Sequence, residues 1–340
     1  MDSDQLKKHI SQRDIAKLLG VNVSTVSRAL NGLGGVSAAL RKEIERLAEE
    51  HGYRPNPFAT SLRYDTTRTI GVVVPDMSFS SYAHFVKRVA EEARKAGLMF
   101  IVTDSDDTYK GEVECVEHLE NMHVEGIILC LSQETTDYAH LERLKKKHIP
   151  LVLFDRSADA NISSVTINDE LLARQATSHL IDGGARRIAF LGGPNLMKQA
   201  VTRKHGYIET LRERGISIRK ELVKSGFISF NAGLSDTLEL LDLPNPPDAI
   251  IASHGLLAMS CVKAVLSKGL RIPEDISVIG FMSDWVSEMS TPRITFVRQN
   301  LKEIGSEAFK LLQDQINGDD QVRQVVVNAR LVVRESTRKV

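Results

Sequence analysis

Val23, Ser24, Ser27 and Arg28 fall at helical spacing on the face opposite Val26, Ala29 and Leu30. Small and hydroxylated side chains with one arginine suit the edges of bases and the phosphates of a DNA major groove. Slim residues let a helix come close there, and arginine meets guanine or phosphate. A second group sits after apolar runs further on. Asp155-Arg156 follows Leu151–Phe154, Gln299 ends the run Thr295–Gln299, and Phe79 and Trp285 lie in loops after strands. The charged pair could clasp hydroxyls or form an ordinary loop ion pair, and the rings could stack on a sugar face or simply pack in a core. No Gly-x-Gly-x-x-Gly follows the first strand, and there is neither a phosphate-binding Gly-x-x-x-x-Gly-Lys-Ser/Thr nor a Gly-x-Ser-x-Gly elbow. Cys115 and His118 stand one helical turn apart without a second ligand pair, so they read as helix surface. No metal, no cofactor, no catalytic residue and no enzymatic activity are expected.

The elements that must position the first group are short helices. Ser11 can cap a helix with Asp14 three residues on, ahead of the apolar face Ile15, Leu18 and Leu19, and Gly20 stops it. Asn22 can cap a second helix, and Ser37 a third whose Leu40, Ile44, Leu47 and Ala48 close a three-helix core before Gly52. Asn56-Pro57 is a further start signal, for about two turns. An isolated helix below ~12–15 residues is marginal in water, so this segment is expected to order only against a partner such as DNA.

The second group needs a larger frame. From residue 69, β-branched runs (Ile70–Val74, Met99–Thr103, Gly126–Leu131, Leu151–Phe154) alternate with helical stretches near 81–96, 111–122 and 138–147. A second set follows: Ser164–Ile167, Ile188–Leu191, Ser225–Ile228, Ala249–Ala252 and Ser277–Phe281, with helices near 169–182, 200–214, 231–241 and 255–268. Repeated strand–helix units imply two lobes built on parallel sheets, with ligands beyond the carboxyl ends of the strands. The last runs, Thr295–Gln299 and Val325–Val333, continue neither lobe simply.

Composition agrees with a folded protein of two or three units: 340 residues, 42% hydrophobic, 44 basic against 44 acidic side chains. The neutral sum hides a modest polarity. Residues 1–63 carry 10 Lys/Arg and 7 Asp/Glu, net +3, which leaves 34 and 37 for the remainder, net −3. Neither a signal-type stretch at Met1-Asp-Ser-Asp-Gln-Leu-Lys-Lys nor a run of ~20 apolar residues is found, so a cytoplasmic protein without membrane contact is expected. Cys115, Cys130 and Cys261 are odd in number and far apart, and read as buried free thiols.

The run from Asp14 through Val21, with Thr25-Val-Ser-Arg28, Asn31-Gly32, Val36-Ser37, Gly52-Tyr53-Arg-Pro-Asn56, Ala59 and Ser61-Leu-Arg63, resembles the headpiece and hinge of the LacI/GalR bacterial transcriptional regulators. The likeness continues in Ile70-Gly-Val-Val-Val-Pro-Asp76, Val124-Glu-Gly-Ile-Ile128, His179-Leu-Ile181, Arg187-Ile-Ala-Phe-Leu-Gly-Gly193, Pro273-Glu-Asp-Ile-Ser-Val-Ile-Gly-Phe281 and Leu331-Val-Val-Arg-Glu-Ser-Thr337. It implies an α/β protein: a small all-α helix-turn-helix headpiece (1–54), a hinge helix and linker (55–68), and two Rossmann-like lobes of the periplasmic-binding-protein type (69–340). Lobe 1 would take about 69–163 and 295–325, lobe 2 about 164–294 and 326–340.

The function implied is a sequence-specific transcriptional regulator, a repressor, that works as a homodimer on palindromic operator DNA under control of a carbohydrate-related effector between the lobes. DNA would meet Ser11, Thr25, Asn31, Tyr53, Asn56, Ala59, Leu62 and Arg63 beside the α-helical face already named, with Leu62 as a minor-groove wedge. Arg203, four residues before Tyr207, occupies the place where family members present an arginine to the effector, and its fork suits vicinal hydroxyls or a carboxylate. Two departures stand out. His254-Gly255 replaces the frequent Asn-Asp, and Met282 replaces the aspartate after the Gly-aromatic pair. His254 could stand in as a polar contact and Asp284 could swing in from two positions later; equally, the effector could be anionic or less hydroxylated, or a protein. The alternatives in other classes are a solute-binding protein, which needs a signal peptide and lacks a headpiece, and a sugar- or nucleotide-acting α/β enzyme, which needs a catalytic constellation.

Overall fold

The computed structural model describes residues 10–53, 66–158 and 161–339. The chain forms two compact units, Met1–Thr67 and Arg68–Val340. Asn56, Ala59, Leu62 and Arg63, with the expected hinge helix, lie outside the described residues.

In the first unit, helices α1 (Gln12–Leu19), α2 (Val23–Leu30) and α3 (Ala38–Glu50) enclose Ile15, Ala16, Val26, Ala29, Ile44 and Ala48. Ser11 and Asp14 form a reciprocal capping box, the Asp14 N–H donating to Ser11 Oγ at 3.3 Å and the Ser11 N–H to Asp14 Oδ2 at 2.9 Å. Gly20 ends α1 at φ +63°, a left-handed conformation that costs other residues strain. Ser37 caps α3 through Leu40 N–H at 3.3 Å. Two expectations fail locally. Asn22 has extended backbone ahead of α2 but its side chain makes no cap bond. Leu18 is 61% exposed: at 100° per residue the buried arc centres between Ile15, Ala16 and Leu19, and Leu18 falls outside it.

The second unit is two α/β lobes. Lobe 1 carries β1 (Thr69–Val74), α4 (Ser80–Lys95), β2 (Met99–Asp104), α5 (Tyr109–Asn121), β3 (Ile127–Leu129), α6 (Ala139–Lys146), β4 (Leu151–Phe154) and β5 (Ser163–Ile167). The chain then crosses through α7 (Asp169–Asp182) to lobe 2. There it forms β6 (Ile188–Gly192), α8 (Lys198–Glu213), β7 (Val223–Ser225), α9 (Phe230–Leu241), β8 (Ala249–Ala252), α10 (Gly255–Ser267), β9 (Ser277–Met282), α11 (Asp284–Met289) and β10 (Thr295–Arg298). It returns through α12 (Leu301–Ile316) to β11 (Gln324–Val327) and crosses again to β12 (Arg330–Val332). The sheets run β11-β5-β4-β3-β1-β2 and β12-β10-β9-β8-β6-β7, parallel except where β12 meets β10.

These ladders move the expected lobe boundaries. The strand 163–167 pairs with β4 and β11 and so belongs to lobe 1, whereas 295–298 pairs with β9 in lobe 2. The run expected as one strand over 325–333 is two strands in different sheets, and the strand expected at 225–228 lies at 223–225. The reason is physical: a parallel strand buried on both faces is an apolar run in either lobe, and only its ladder partners decide which sheet it joins.

Below β4 the Phe85 and Phe154 rings stack at 3.6 Å between centroids, both fully buried. Gly206 lets α8 lie against α7, since a Cβ there would stand 2.5 Å from the Glu170 carbonyl oxygen. Replacing Phe85 with Ala leaves a cavity that the fixed strand and helix cannot close. Urea denaturation should show the second unit destabilised by about 3–5 kcal/mol.

Candidate functional site

The outward face of α2 is as its spacing requires. Val23 is 41% exposed, Ser24 and Arg28 are exposed, and Thr25 and Ser27 are half-buried. Asn31 donates from Nδ2 to the Ser27 carbonyl at 2.7 Å and fixes the end of the helix. The Arg28 guanidinium runs so close to Gly35 that a Cβ there would sit 3.3 Å from it. Arg41 ties the loop between α2 and α3 to the Leu33 carbonyl at 2.6 Å. Two expected DNA contacts have structural duties as well: the Ser11 hydroxyl is held in its capping box, and Tyr53 packs on the headpiece core. A rigid helix presenting small polar groups and one arginine, its own core behind it, has the form that enters a major groove.

The second site is the cleft between the lobes, a cavity of about 170 Å³. Asp155, at the end of β4, takes a left-handed backbone with φ +58°. Its carboxylate accepts from Gln199 Nε2 at 3.0 Å, Gln299 Nε2 at 3.1 Å and, weakly, Tyr82 Oη at 3.4 Å. Gln199 and Gln299 come from lobe 2, so this carboxylate ties the lobes together; a second, neutral tie joins Ser80 Oγ and Ser283 Oγ at 3.2 Å.

Arg203, on α8, is buried. Nε donates to Asp169 Oδ1 at 2.7 Å, Nη1 to the Ser253 carbonyl at 2.5 Å, and the guanidinium lies 4.1 Å from the centre of the Phe281 ring. Its Nη2 has no hydrogen-bond partner among the described residues. Burial raises the Asp169 carboxyl above its ordinary pKa, while Arg203 pulls it back. His254 stands at the start of α10, its Nδ1 accepting the Leu256 N–H at 3.3 Å and its ring edge-on to Phe79 at 5.5 Å. Burial, and after it the Arg156 and Arg203 guanidiniums, lower its pKa to about 3. With Nδ1 an acceptor, the neutral ring carries its proton on Nε2.

Seven of the residues expected here line the cleft: Phe79, Asp155, Arg203, His254, Met282, Trp285 and Gln299. Two do not. Arg156 turns into lobe 1 and grips Asp107 with two bonds, Nη1 to Oδ1 at 2.5 Å and Nη2 to Oδ2 at 3.3 Å, while Nη1 also meets the Leu131 carbonyl. The sharp turn at Asp155 parts the two charges, so they neither pair nor act together. Asp284 binds Arg298 instead of entering the cleft, and Met282 fills the space, covering Gly255 and Gly280. Gln199 and Tyr82 were missed. Gln199 was legible: it stands one helical turn before Arg203, so both face one way.

A helix-turn-helix headpiece joined to a two-lobed body with a polar cleft defines a ligand-binding protein that reads DNA. Residues 12–56 match the model of bacterial regulatory proteins of the lacI family, and residues 177–337 that of a periplasmic binding protein-like domain. The chain is 31% identical to catabolite control protein A of Priestia megaterium, over 96% of this chain and 98% of that protein. It is 32% identical to the probable HTH-type transcriptional repressor ExuR of Bacillus subtilis (97% and 99%). Among solved structures, the transcriptional regulator CelR–cellobiose complex superposes with a TM-score of 0.73 at 31% identity, covering 96% of this chain and 99% of that one. The chain belongs to the LacI family of bacterial regulatory proteins and is a DNA-binding transcriptional regulator.

The His254 environment has a consequence for acid stability. Unfolded, the ring takes up a proton as pH falls through 6.5; folded, it does so only near 3. The unfolded state therefore binds more protons between these values, and stability falls with pH there. His254→Asn should lose less unfolding free energy than the parent between pH 7 and pH 4. Equal losses in denaturant titrations would remove His254 as the cause.

Proposed function

We propose that this regulator is a cytoplasmic repressor that binds a near-palindromic operator as a homodimer and responds to a small carbohydrate-related effector held in the cleft. The observation that carries the effector half is Arg203: a buried guanidinium with Nε and Nη1 satisfied and Nη2 without a partner among the described residues, on a side chain lining a cavity that Asp155 and His254 also line. Such a group completes its hydrogen bonding with a ligand acceptor. The relative solved with cellobiose carries its ligand on a chain matched along almost its whole length, which favours a sugar here too. The homodimer rests on the small reading face of one headpiece, since two-fold pairing doubles the contacts and matches two half-sites.

Control follows from linkage. An effector that favours one lobe arrangement by ~1–3 kcal/mol changes operator affinity about 5- to 150-fold, and the operator changes effector affinity equally. Arg203→Ala, shown by thermal unfolding to be folded although Asp169 loses its partner, should bind operator as the parent does, yet fail to respond to the sugar that releases or tightens the parent, read by fluorescence anisotropy of labelled operator. An unchanged response at the same sugar concentration would remove Arg203 from the effector site.

DNA affinity should fall steeply with salt, log K dropping by roughly 0.9 per phosphate contact for each unit of log salt. If Arg28 meets a phosphate, Arg28→Ala lowers that slope by about one contact and weakens all sequences alike; if it meets guanine, the loss is confined to operators with that base. Parent-like affinity and slope on every sequence would place Arg28 off the DNA.

A further inference from the structure

The cleft's charge and polarity identify the class of sugar, a step that rests on the effector reading above. Among the side chains lining the cavity the charged ones are Asp155 and Arg203. Arg203 is already paired with Asp169. The donors to Asp155 are two neutral amides and a phenol, and among the described residues no cation is paired with it. Counted over the lining and its ion-pair partners, the one charge left without a counter-charge is the Asp155 carboxylate. A carboxylate or phosphate on the ligand would face that charge in a partly dehydrated space, where like charges repel far more strongly than in water.

The second observation is the wall left by the two departures from the family pattern. Met282 is 4% exposed, and with Leu256, Met259 and Val286 it lines the cavity from the end of β9 and from helices α10 and α11. None of these four side chains offers a hydrogen bond to a hydroxyl, and Asp284, the carboxylate nearest in sequence, is held by Arg298. A ligand hydroxyl buried against this wall would lose its water without replacement. The third observation is size: about 170 Å³ lies below the ~300–1,000 Å³ typical of pockets for larger ligands and fits a single sugar ring.

We propose that the cleft takes a neutral deoxyhexose. Its remaining hydroxyls would meet Asp155 and the unpartnered Nη2 of Arg203, and its methyl group would lie against Met282 and Met259. Asp155 Oδ1 is taken by Gln199 and Gln299, whereas Oδ2 has the long 3.4 Å bond from Tyr82 Oη, so Oδ2 is the oxygen with capacity to accept from a ligand hydroxyl.

Isothermal titration calorimetry on the full-length protein tests this with hexoses matched in configuration. D-fucose is compared with D-galactose, L-rhamnose with L-mannose and quinovose with D-glucose, alongside the matching hexuronates and hexose 6-phosphates. One 6-deoxy sugar should bind at least about tenfold tighter than its hydroxylated partner and than the anionic forms, the discrimination one group gives in such a pocket. Met282→Asp should narrow or invert that ratio, while Met282→Leu keeps it; thermal unfolding of both variants shows whether they are folded, and Met282→Leu carries the test if the aspartate variant is not.

A parent hexose, uronate or phosphate that binds as tightly or tighter, and whose binding is lost in Arg203→Ala, overturns the deoxyhexose assignment and leaves the effector site in place. Binding that survives in Arg203→Ala, or no binding across the whole panel, overturns the assignment and the sugar-effector reading with it.

Discussion

A guanidinium removed from water needs acceptors for its N–H groups, and the cleft is arranged around the way Arg203 meets that demand. Asp169, at the start of α7, takes Nε; the Ser253 carbonyl at the end of β8 takes Nη1; the Phe281 ring covers one face. Three elements of lobe 2 are thereby fixed to one side chain. Removing a partner from a buried pair leaves an uncompensated charge, which costs about 3–5 kcal/mol, so the arrangement is held firmly. Nη2 is left without a partner among the described residues, and a group kept in place by its other bonds takes up a further acceptor at little ordering cost.

The lobes are joined by weaker means. The bonds between lobe 1 and lobe 2 come from side-chain amides at Asp155, from a hydroxyl at Ser80, and from the Ile228 N–H, which donates to Gln133 Oε1 at 2.6 Å. Each contributes on the order of 1 kcal/mol, or up to about 3 where the carboxylate is the acceptor. A ligand that inserts its own hydroxyls among these groups exchanges bonds of similar strength, so a small difference in contact is enough to bias the lobe arrangement. Rigid within lobe 2 and lightly tied across the cleft, the body has the unequal stiffness that a ligand-driven switch needs.

The headpiece follows a different economy. Its six buried side chains form a core of their own, and its helix starts lean on the Ser11–Asp14 box and the Ser37 cap. In a caps-and-core unit of this kind the reading face is set by the unit's own residues. The same serine that the family resemblance assigns to DNA therefore has a structural role, and the two uses are compatible because the cap occupies only part of its hydrogen-bonding capacity.

Most of the fold was legible locally. Ser11, Gly20 and Ser37 marked helix ends because capping and left-handed turns depend on single residues, and the α2 face followed from period alone. In the body, alternation of apolar runs with amphipathic stretches located the strands and helices through β9, with 223–225 displaced, but not α11 or α12, and the family motifs placed Arg203 and the departures at His254 and Met282. Tertiary structure decided the rest. Sheet membership of 163–167, 295–298 and 324–332 depended on ladder partners, which in the β5–β11 ladder stand 160 residues apart, Gln324 against Ser164. Adjacent in sequence, Asp155 and Arg156 went to different places because a left-handed residue turned the chain between strand and loop, sending one charge to the cleft and the other to Asp107. Asp284 was taken by Arg298 before it could serve the cleft. The sequence by itself determined which groups the protein owns and which elements carry them, since those are properties of neighbours along the chain. Which groups face the cleft was settled only in three dimensions, where each buried charge must find its partner.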